Sequence, residues 1–338
     1  MSGPRRPKDP GAPWGLPAGE LTPVRGAYLL QCGNERYCLK PVTLNRREVQ
    51  FVAAVLEHLG RAGLAGVPRL LPTLGGEPVG RMGRQRFQLL QWQDGREADY
   101  LRPGDAEAAA VALARLHLAG RGFVPPFPRF RVLFGAWPRR WRRKRAELAR
   151  FAELAKSSAR PTAFDREYAR FAPHWLAEAD EALAELDASP YRALSAAARR
   201  LGSLCHHDLA HHNVLLTADG PALVDFDYAL ADLGVHDLAN LLRRLLRLGG
   251  WDPAPGRSVL LAYREAAGSG PAEMSLLLPL LRFPEEAWQT GRQYYVENLP
   301  WPEERYLEQL ARKHDTAPAR RACLAELSVT ASRKKRGA

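Results

Sequence analysis

Asp208, Asn213 and Asp225 fall close together in the second half of the chain, with His206 two residues before the first of them. The skeleton is His206-x-Asp208, four residues, Asn213, a short apolar run, a turn, a second apolar run and Asp225. Hard divalent cations such as Mg²⁺ take oxygen ligands of this kind and keep open positions for phosphate oxygens. Asn213 and Asp225 are therefore the candidate metal ligands. Asp208 is the candidate catalytic group, a carboxylate placed to accept a hydroxyl proton or to orient the hydroxyl for attack. Asp227 either adds a metal or substrate contact or hydrogen-bonds backbone, and both readings stay open.

The elements that must position these groups are readable. Val214-Leu215-Leu216 and Ala222-Leu223-Val224 flank Thr217-Ala218-Asp219-Gly220-Pro221, which predicts a β-hairpin with a Gly-containing loop. Folded about Asp219, it sets Asn213 opposite Asp225. Upstream, Val24–Cys32 and Glu35–Val42 read as strands joined at Gly33-Asn34, a hairpin dipeptide. Lys40 closes the second strand. The chain has 49 Lys and Arg, of which only seven are Lys. A lysine in an apolar strand of such a chain suits a compact charge for phosphate oxygens; a strand-end lysine reaching water is the alternative. A helix follows over Asn45–Leu59, with Val52, Val55 and Leu59 on its apolar face and Glu48 one turn earlier on the same face. An inward carboxylate needs a cation, so Glu48 is expected to hold Lys40. The strand Arg86–Leu90 runs into Gln91-Trp92-Gln93-Asp94-Gly95, where a hinge is expected. The backbone of Gln91 and Trp92 is positioned there to hydrogen-bond an adenine, although a plain linker has the same composition.

A chain of 338 residues, 46% hydrophobic and 25% charged, can bury a sizeable core and divide into two lobes. The net charge of +12 favours anionic partners, nucleotides included, without selecting nucleic acid. Four cysteines without CxxC spacing (Cys32, Cys38, Cys205, Cys323) are expected as reduced thiols. No apolar run approaches a membrane span and no signal peptide is seen, so a cytosolic protein with no membrane partner is expected. The organisation read from composition is a flexible arm over 1–20, an N-terminal lobe over 21–92, a helical C-terminal lobe over 93–330 carrying the catalytic loop and metal hairpin, and a basic tail over 331–338. Helices are expected at Asp105–Leu118, through the segment up to Arg200, at Asp237–Leu248 and Val259–Ala267, and over much of Glu285–Leu327.

Other constellations compete. Trp137-Pro138-Arg139-Arg140-Trp141-Arg142-Arg143-Lys144-Arg145 is a cationic cluster that suits nucleic acid or an acidic partner, and more simply a solvated helix face. His117 reads as a core histidine. His206, His207, His211 and His212 with Asp208 have the donors of a transition-metal site. His207-Asp208 and His236-Asp237 match the dipeptide of the HD metal phosphohydrolases, but those pairs sit on helices and Asp208 leads into a hairpin. His206 is expected to pack and hydrogen-bond, holding the catalytic loop.

With Tyr37-Cys38-Leu39-Lys40, Leu90-Gln91-Trp92-Gln93-Asp94-Gly95-Arg96-Glu97, Leu116-His117, Phe164-Asp165, Leu204 through Asn213 and Val224-Asp225-Phe226-Asp227-Tyr228, the chain resembles the aminoglycoside phosphotransferase and choline kinase superfamily, and within it the CotS-type spore coat kinases. Phe283-Pro284 and Gln293-Tyr294-Tyr295 are similar as well. The resemblance implies an α+β, bilobal protein-kinase-like fold with a small antiparallel-sheet lobe and a larger, mainly helical one. It also implies an ATP- and Mg²⁺-dependent phosphotransferase acting on a hydroxyl of a small molecule or a coat protein, in a mother-cell or spore-coat setting with other coat proteins as possible partners. In those terms Lys40 and Glu48 serve the phosphates, Asn213 and Asp225 the metal, and Asp208 the acceptor. The chain departs from the pattern in two places. Many superfamily members have Gly where this chain has His207, and no GxGxxG occurs in Val24–Cys32. A coat scaffold that keeps the fold with little turnover is the rival reading.

Overall fold

The structure, a computed structural model, describes residues 9–332; residues 1–8 of the expected arm and 333–338 of the expected basic tail lie outside the described residues. It divides into two compact units. One takes the described residues through Val132 with Leu201–Ala231, the other Leu133–Arg200 with the described residues from Asp232 onward.

The first unit is built on an antiparallel sheet. Strands β1 (Glu20–Val24), β2 (Ala27–Cys32) and β3 (Glu35–Pro41) lead into helix α1 (Arg46–Arg61), then β4 (Leu70–Leu71), β5 (Gly80–Met82), β6 (Gln85–Gln91), β7 (Arg96–Glu97) and helix α2 (Asp105–Ala119). The sheet order is β1-β2-β3-β6-β4, with β5 also on β6. Period-two alternation sorts the two faces. Tyr28, Leu30 and Cys32 of β2 join Tyr37 and Leu39 of β3 and Phe87 and Leu89 of β6 in one core. Cys38 and Lys40 therefore point to the other face, directly across from Leu90 and Gln88 of β6. Helix α1 starts at Asn45, whose side chain accepts from the Glu48 N–H while the Glu48 carboxylate accepts from the Asn45 N–H, a capping box. The expected apolar face is buried at Val52, Val55 and Leu59.

The amino-terminal segment differs from expectation. The Pro-, Gly- and Arg-rich composition predicts an arm with nothing to bury, yet a 3-10 turn at Ala12–Trp14 brings Trp14 into the sheet core. Its indole N–H donates to the Leu71 carbonyl at 3.1 Å. One large aromatic outweighs the average of its neighbours.

A second sheet in the same unit, ordered β7-β8-β9, pairs β7 with the hairpin strands β8 (Val214–Thr217) and β9 (Gly220–Leu223). Strand β7 and helix α2 thus lie in the same compact unit as the hairpin.

The second unit is helical: α3 (Trp137–Ser157), α4 (Ala163–Ala188), α5 (Tyr191–Leu201), α6 (Val235–Leu248), α7 (Pro253–Ala267), α8 (Pro271–Met274), α9 (Leu277–Arg282), α10 (Glu285–Tyr295), α11 (Glu303–Asp315) and α12 (Ala317–Ser332). The cationic cluster opens α3, and four of its six charges find intramolecular partners: Arg142 with Asp187, Arg143 with Glu147, Lys144 with Glu285 and Arg145 with Asp180. Trp137 and Trp141 are buried and stack on one another. Among the described residues, no helix is long and apolar enough to cross a membrane.

Candidate functional site

The hairpin forms as expected, but its register is one residue tighter. Thr217 pairs with Gly220 and Val214 with Leu223, so the loop is only Ala218-Asp219. Val224, not Asp225, faces Asn213, and its N–H donates to the Asn213 carbonyl at 3.0 Å. Asp225 comes one step later, where the backbone turns to φ 65, a left-handed conformation that Asp adopts more readily than most residues. Behind the hairpin, the Leu223 N–H donates to the Gly66 carbonyl at 2.7 Å. A Cβ on Gly66 would lie 2.8 Å from the Pro221 carbonyl oxygen, so this backbone approach needs glycine.

The loop before the hairpin is held from several sides. Cys205 and Leu230 exchange backbone hydrogen bonds at 2.8 and 3.1 Å, and the Tyr100 hydroxyl donates to the Leu209 carbonyl at 2.9 Å. His206 is fully buried. One ring nitrogen, Nε2, lies 2.9 Å from the Val224 carbonyl and must donate to it, while Nδ1 accepts the Asp208 N–H at 3.3 Å. The partners fix a neutral tautomer. Both nitrogens are used for support, as expected of His206, and neither is left to bind a transition metal. His207 sits at φ 70, the conformation that explains why glycine suits this position. Asn213 is buried, and its amide N–H₂ donates to the Asp208 carboxylate and carbonyl, each at 3.1 Å. That orients the amide so that its oxygen is the atom available as a metal ligand.

Lys40 departs from expectation. Its Nζ lies 2.7 Å from Asp225 Oδ1 and 2.8 Å from Asp227 Oδ1. Burial works against the ammonium, but the carboxylates of Asp227 and Asp225 outweigh it and raise the Lys40 pKa above the ordinary lysine value. Burial likewise opposes the Asp225 charge, and Lys40, together with the Asp227 N–H and His206, more than compensates, lowering its pKa. Cys38, on the same face two residues earlier, is pushed up to about 11 by burial.

The expected Lys40–Glu48 pair is absent. Glu48 is the third residue of α1, so one carboxylate oxygen bends back to cap Asn45, and the other lies 3.3 Å from Arg131 Nη2. Gln91 and Trp92 do not join the Lys40 group either. Their N–H groups donate to the Arg69 and Arg36 carbonyls at 2.8 and 3.2 Å, because sheet pairing runs on through Trp92. The Gln91 side chain, opposite Tyr37, lies on the far face from Lys40. There it helps line an open depression of about 400 Å³ with Tyr37, Leu71 and Trp92.

Two residues carry more of this site than the sequence suggests. Asp227 turns an oxygen to the same cation as Asp225, and only the Asp-x-Asp spacing hints at it. Arg131 has no sequence signal. The donor set fits a hard divalent cation: an amide oxygen and two carboxylates, with the Lys40 ammonium already drawing both carboxylates to one positive point.

Over 271 residues the chain is 24% identical to Spore coat protein S of Bacillus subtilis (strain 168), covering 79% of this chain and 77% of that protein. It is 28% identical over 267 residues to a homoserine kinase of Paraburkholderia phymatum, covering 75% and 71%. The fold is similar to that of an aminoglycoside phosphotransferase from Alicyclobacillus acidocaldarius, with a TM-score of 0.84, 22% identity and 98% of each chain covered. The kinase-like α+β fold expected from the sequence is therefore the one observed. Residues 25–277 match the Phosphotransferase enzyme family, APH, a span that takes in every group from Lys40 to Asp227, and the chain belongs to that family.

Proposed function

We propose that this chain is an ATP- and Mg²⁺-dependent phosphotransferase with a hydroxyl acceptor, carried by a small molecule or by a coat protein. The observation that carries this reading is the meeting of Lys40, Asp225 and Asp227 around one ammonium, in the same compact unit as the linked pair Asp208–Asn213. Asn213, Asp225 and Asp227 would hold the metal, which supplies charge neutralisation on the phosphates. Lys40 moves off the carboxylates and neutralises phosphate oxygens. Asp208, kept in place by the Asn213 amide, accepts or orients the proton of the acceptor hydroxyl. Glu48 acts at a distance through α1. Gln91 and Trp92, with their N–H groups already paired and the Gln91 side chain turned away from Lys40, would border the nucleotide only through main-chain carbonyls.

The domain reading that goes with this assigns 21–92 to a nucleotide lobe and 93–330 to an acceptor lobe. The similarity to a spore coat protein supports a mother-cell or coat setting, with coat proteins as partners. The same similarity supports the second reading, a coat scaffold of kinase fold with little turnover. Purified wild type, assayed for Mg²⁺-dependent ATP turnover with homoserine, choline and aminoglycosides as acceptors beside Asp208→Ala and Asp225→Ala, separates the two. Turnover lost in Asp208→Ala with ATP still bound supports the enzyme. A folded wild type that binds no nucleoside triphosphate leaves the scaffold.

A further inference from the structure

Arg131 lies outside every motif that marks the site, yet its side chain is only 15% exposed. Its Nη1 donates to the Asp227 carbonyl and, at 3.3 Å, to the Ala229 carbonyl. These oxygens belong to the 3-10 turn Phe226–Tyr228 and the residue after it, where a helical end leaves carbonyls without internal donors. Nη2 faces Glu48 at 3.3 Å. The guanidinium also lies over the rings of Phe51, at 5.8 Å, and Phe130, at 5.9 Å. Glu48 and Phe51 are three residues apart on α1 and so share a face. The Arg131 main chain completes the junction: its carbonyl accepts the Ala231 N–H at 2.8 Å, and Val132 bridges to Ala231 in parallel. At φ 52, Arg131 holds a left-handed conformation that a non-glycine residue keeps only when its surroundings impose it.

We propose that Arg131 is a positioning residue that fixes the Asp225–Asp227 turn against α1 and so sets the two carboxylates for the divalent cation. The proposal rests on the phosphotransferase reading. It gives Glu48 a partner other than Lys40: α1 is coupled to the metal carboxylates through Arg131, and Lys40 is left unattached to α1, able to pass from carboxylates to phosphate. A planar fork suits this task, since one group must serve two carbonyls and a carboxylate. Lysine in its place keeps the charge and loses the fork.

The test is Mn²⁺ binding to the full chain, followed by electron paramagnetic resonance without nucleotide, together with the Mg²⁺ dependence of ATP turnover. Wild type, Arg131→Lys, Arg131→Met and Glu48→Gln are compared, with binding of a fluorescent ATP analogue in EDTA and thermal melts as controls. Glutamine at 48 keeps the capping box and removes the charge that faces Arg131. We expect Mn²⁺ affinity to fall about 10-fold in Arg131→Lys and Arg131→Met, the scale of losing an outer partner of a metal ligand. The KM for Mg²⁺ rises in parallel while metal-free nucleotide binding holds, and Glu48→Gln moves the same way by less. If Arg131→Met does not fold, Arg131→Lys and Glu48→Gln carry the comparison. Unchanged Mn²⁺ affinity in folded Arg131 variants overturns the proposal, as does a loss of metal, nucleotide and melting temperature together. Failure of wild type to bind Mn²⁺ and turn over ATP sinks the phosphotransferase reading, and this proposal with it.

Discussion

The Nζ of Lys40 lies 2.7 Å from Asp225 Oδ1, across 185 residues of chain. A raised lysine stabilises the fold below its unfolded pKa and stops doing so as pH climbs through its folded value. A depressed carboxylate stabilises above its unfolded pKa and stops as pH falls through its folded value. The shifts of Lys40 and Asp225 thus place the pair's contribution between about pH 4 and about pH 10. Lys40→Met should be less stable than wild type in urea at pH 7, with the gap closing as pH falls below about 4 and Asp225 protonates. ATP turnover should fall about 100-fold, the scale of removing one charge-stabilising donor.

His206 joins the two halves of the site, reaching Val224 through one nitrogen and the Asp208 N–H through the other, with its ring 4.6 Å from Phe226. Alanine here opens a cavity and strips partners from two backbone groups. We expect His206→Ala to lower unfolding free energy by roughly 2–4 kcal/mol. Chemical denaturation with turnover measured in parallel checks this; an unchanged midpoint would show that the loop holds without the ring.

His207, at φ 70, occupies a backbone conformation open to glycine at no steric cost. His207→Gly should stabilise the chain or leave it within about 1 kcal/mol of wild type, the scale of left-handed strain in a non-glycine residue. His207→Val should lose at least as much. Paired thermal melts decide, and a strongly destabilised glycine variant would show that the imidazole outweighs the strain.

In α3, the Lys144 side chain is 11% exposed, pairs with Glu285 and lies 4.2 Å above the Trp288 ring. Burial lowers its pKa, against the pull of Glu285. Lys144→Ala leaves Glu285 without its cation and should cost roughly 2–3 kcal/mol, whereas Lys144→Met with Glu285→Leu should recover most of that. A double-mutant cycle by urea unfolding reads the difference.

The β8–β9 hairpin was legible because two apolar runs around a Gly-containing turn admit few other structures, and Asp208 and Asn213 lie close in sequence, although Tyr100 and Leu230 also hold their loop. The one-residue error in register came from the turn, which closes on Ala218-Asp219 and starts β9 at Gly220. Partner choice over long range was the illegible part. A half-buried carboxylate at Glu48 correctly called for a cation, but nothing local says that the cation is Arg131 and that Lys40 serves Asp225 and Asp227 instead. The strand expected over Val24–Cys32 takes in only the last residue of β1, because Pro23 reads against a strand, although proline is tolerated in an edge strand. Helix α7 begins at Pro253, inside a Pro-Ala-Pro-Gly run that reads as loop, because Asp252 caps it and accepts the Ala254 N–H.

Trp14 has a bearing on how this chain can be handled. On composition the natural place to shorten it is near residue 20, before the first strand. The indole, however, stands over Gly80, where even a Cβ would come within 2.7 Å of the ring. Trimming there would remove a plug from the sheet and leave an indole-sized slot floored by apolar side chains. A shortened version would announce its loss first as poor solubility and self-association, ahead of any change at Asp225 and Asp227.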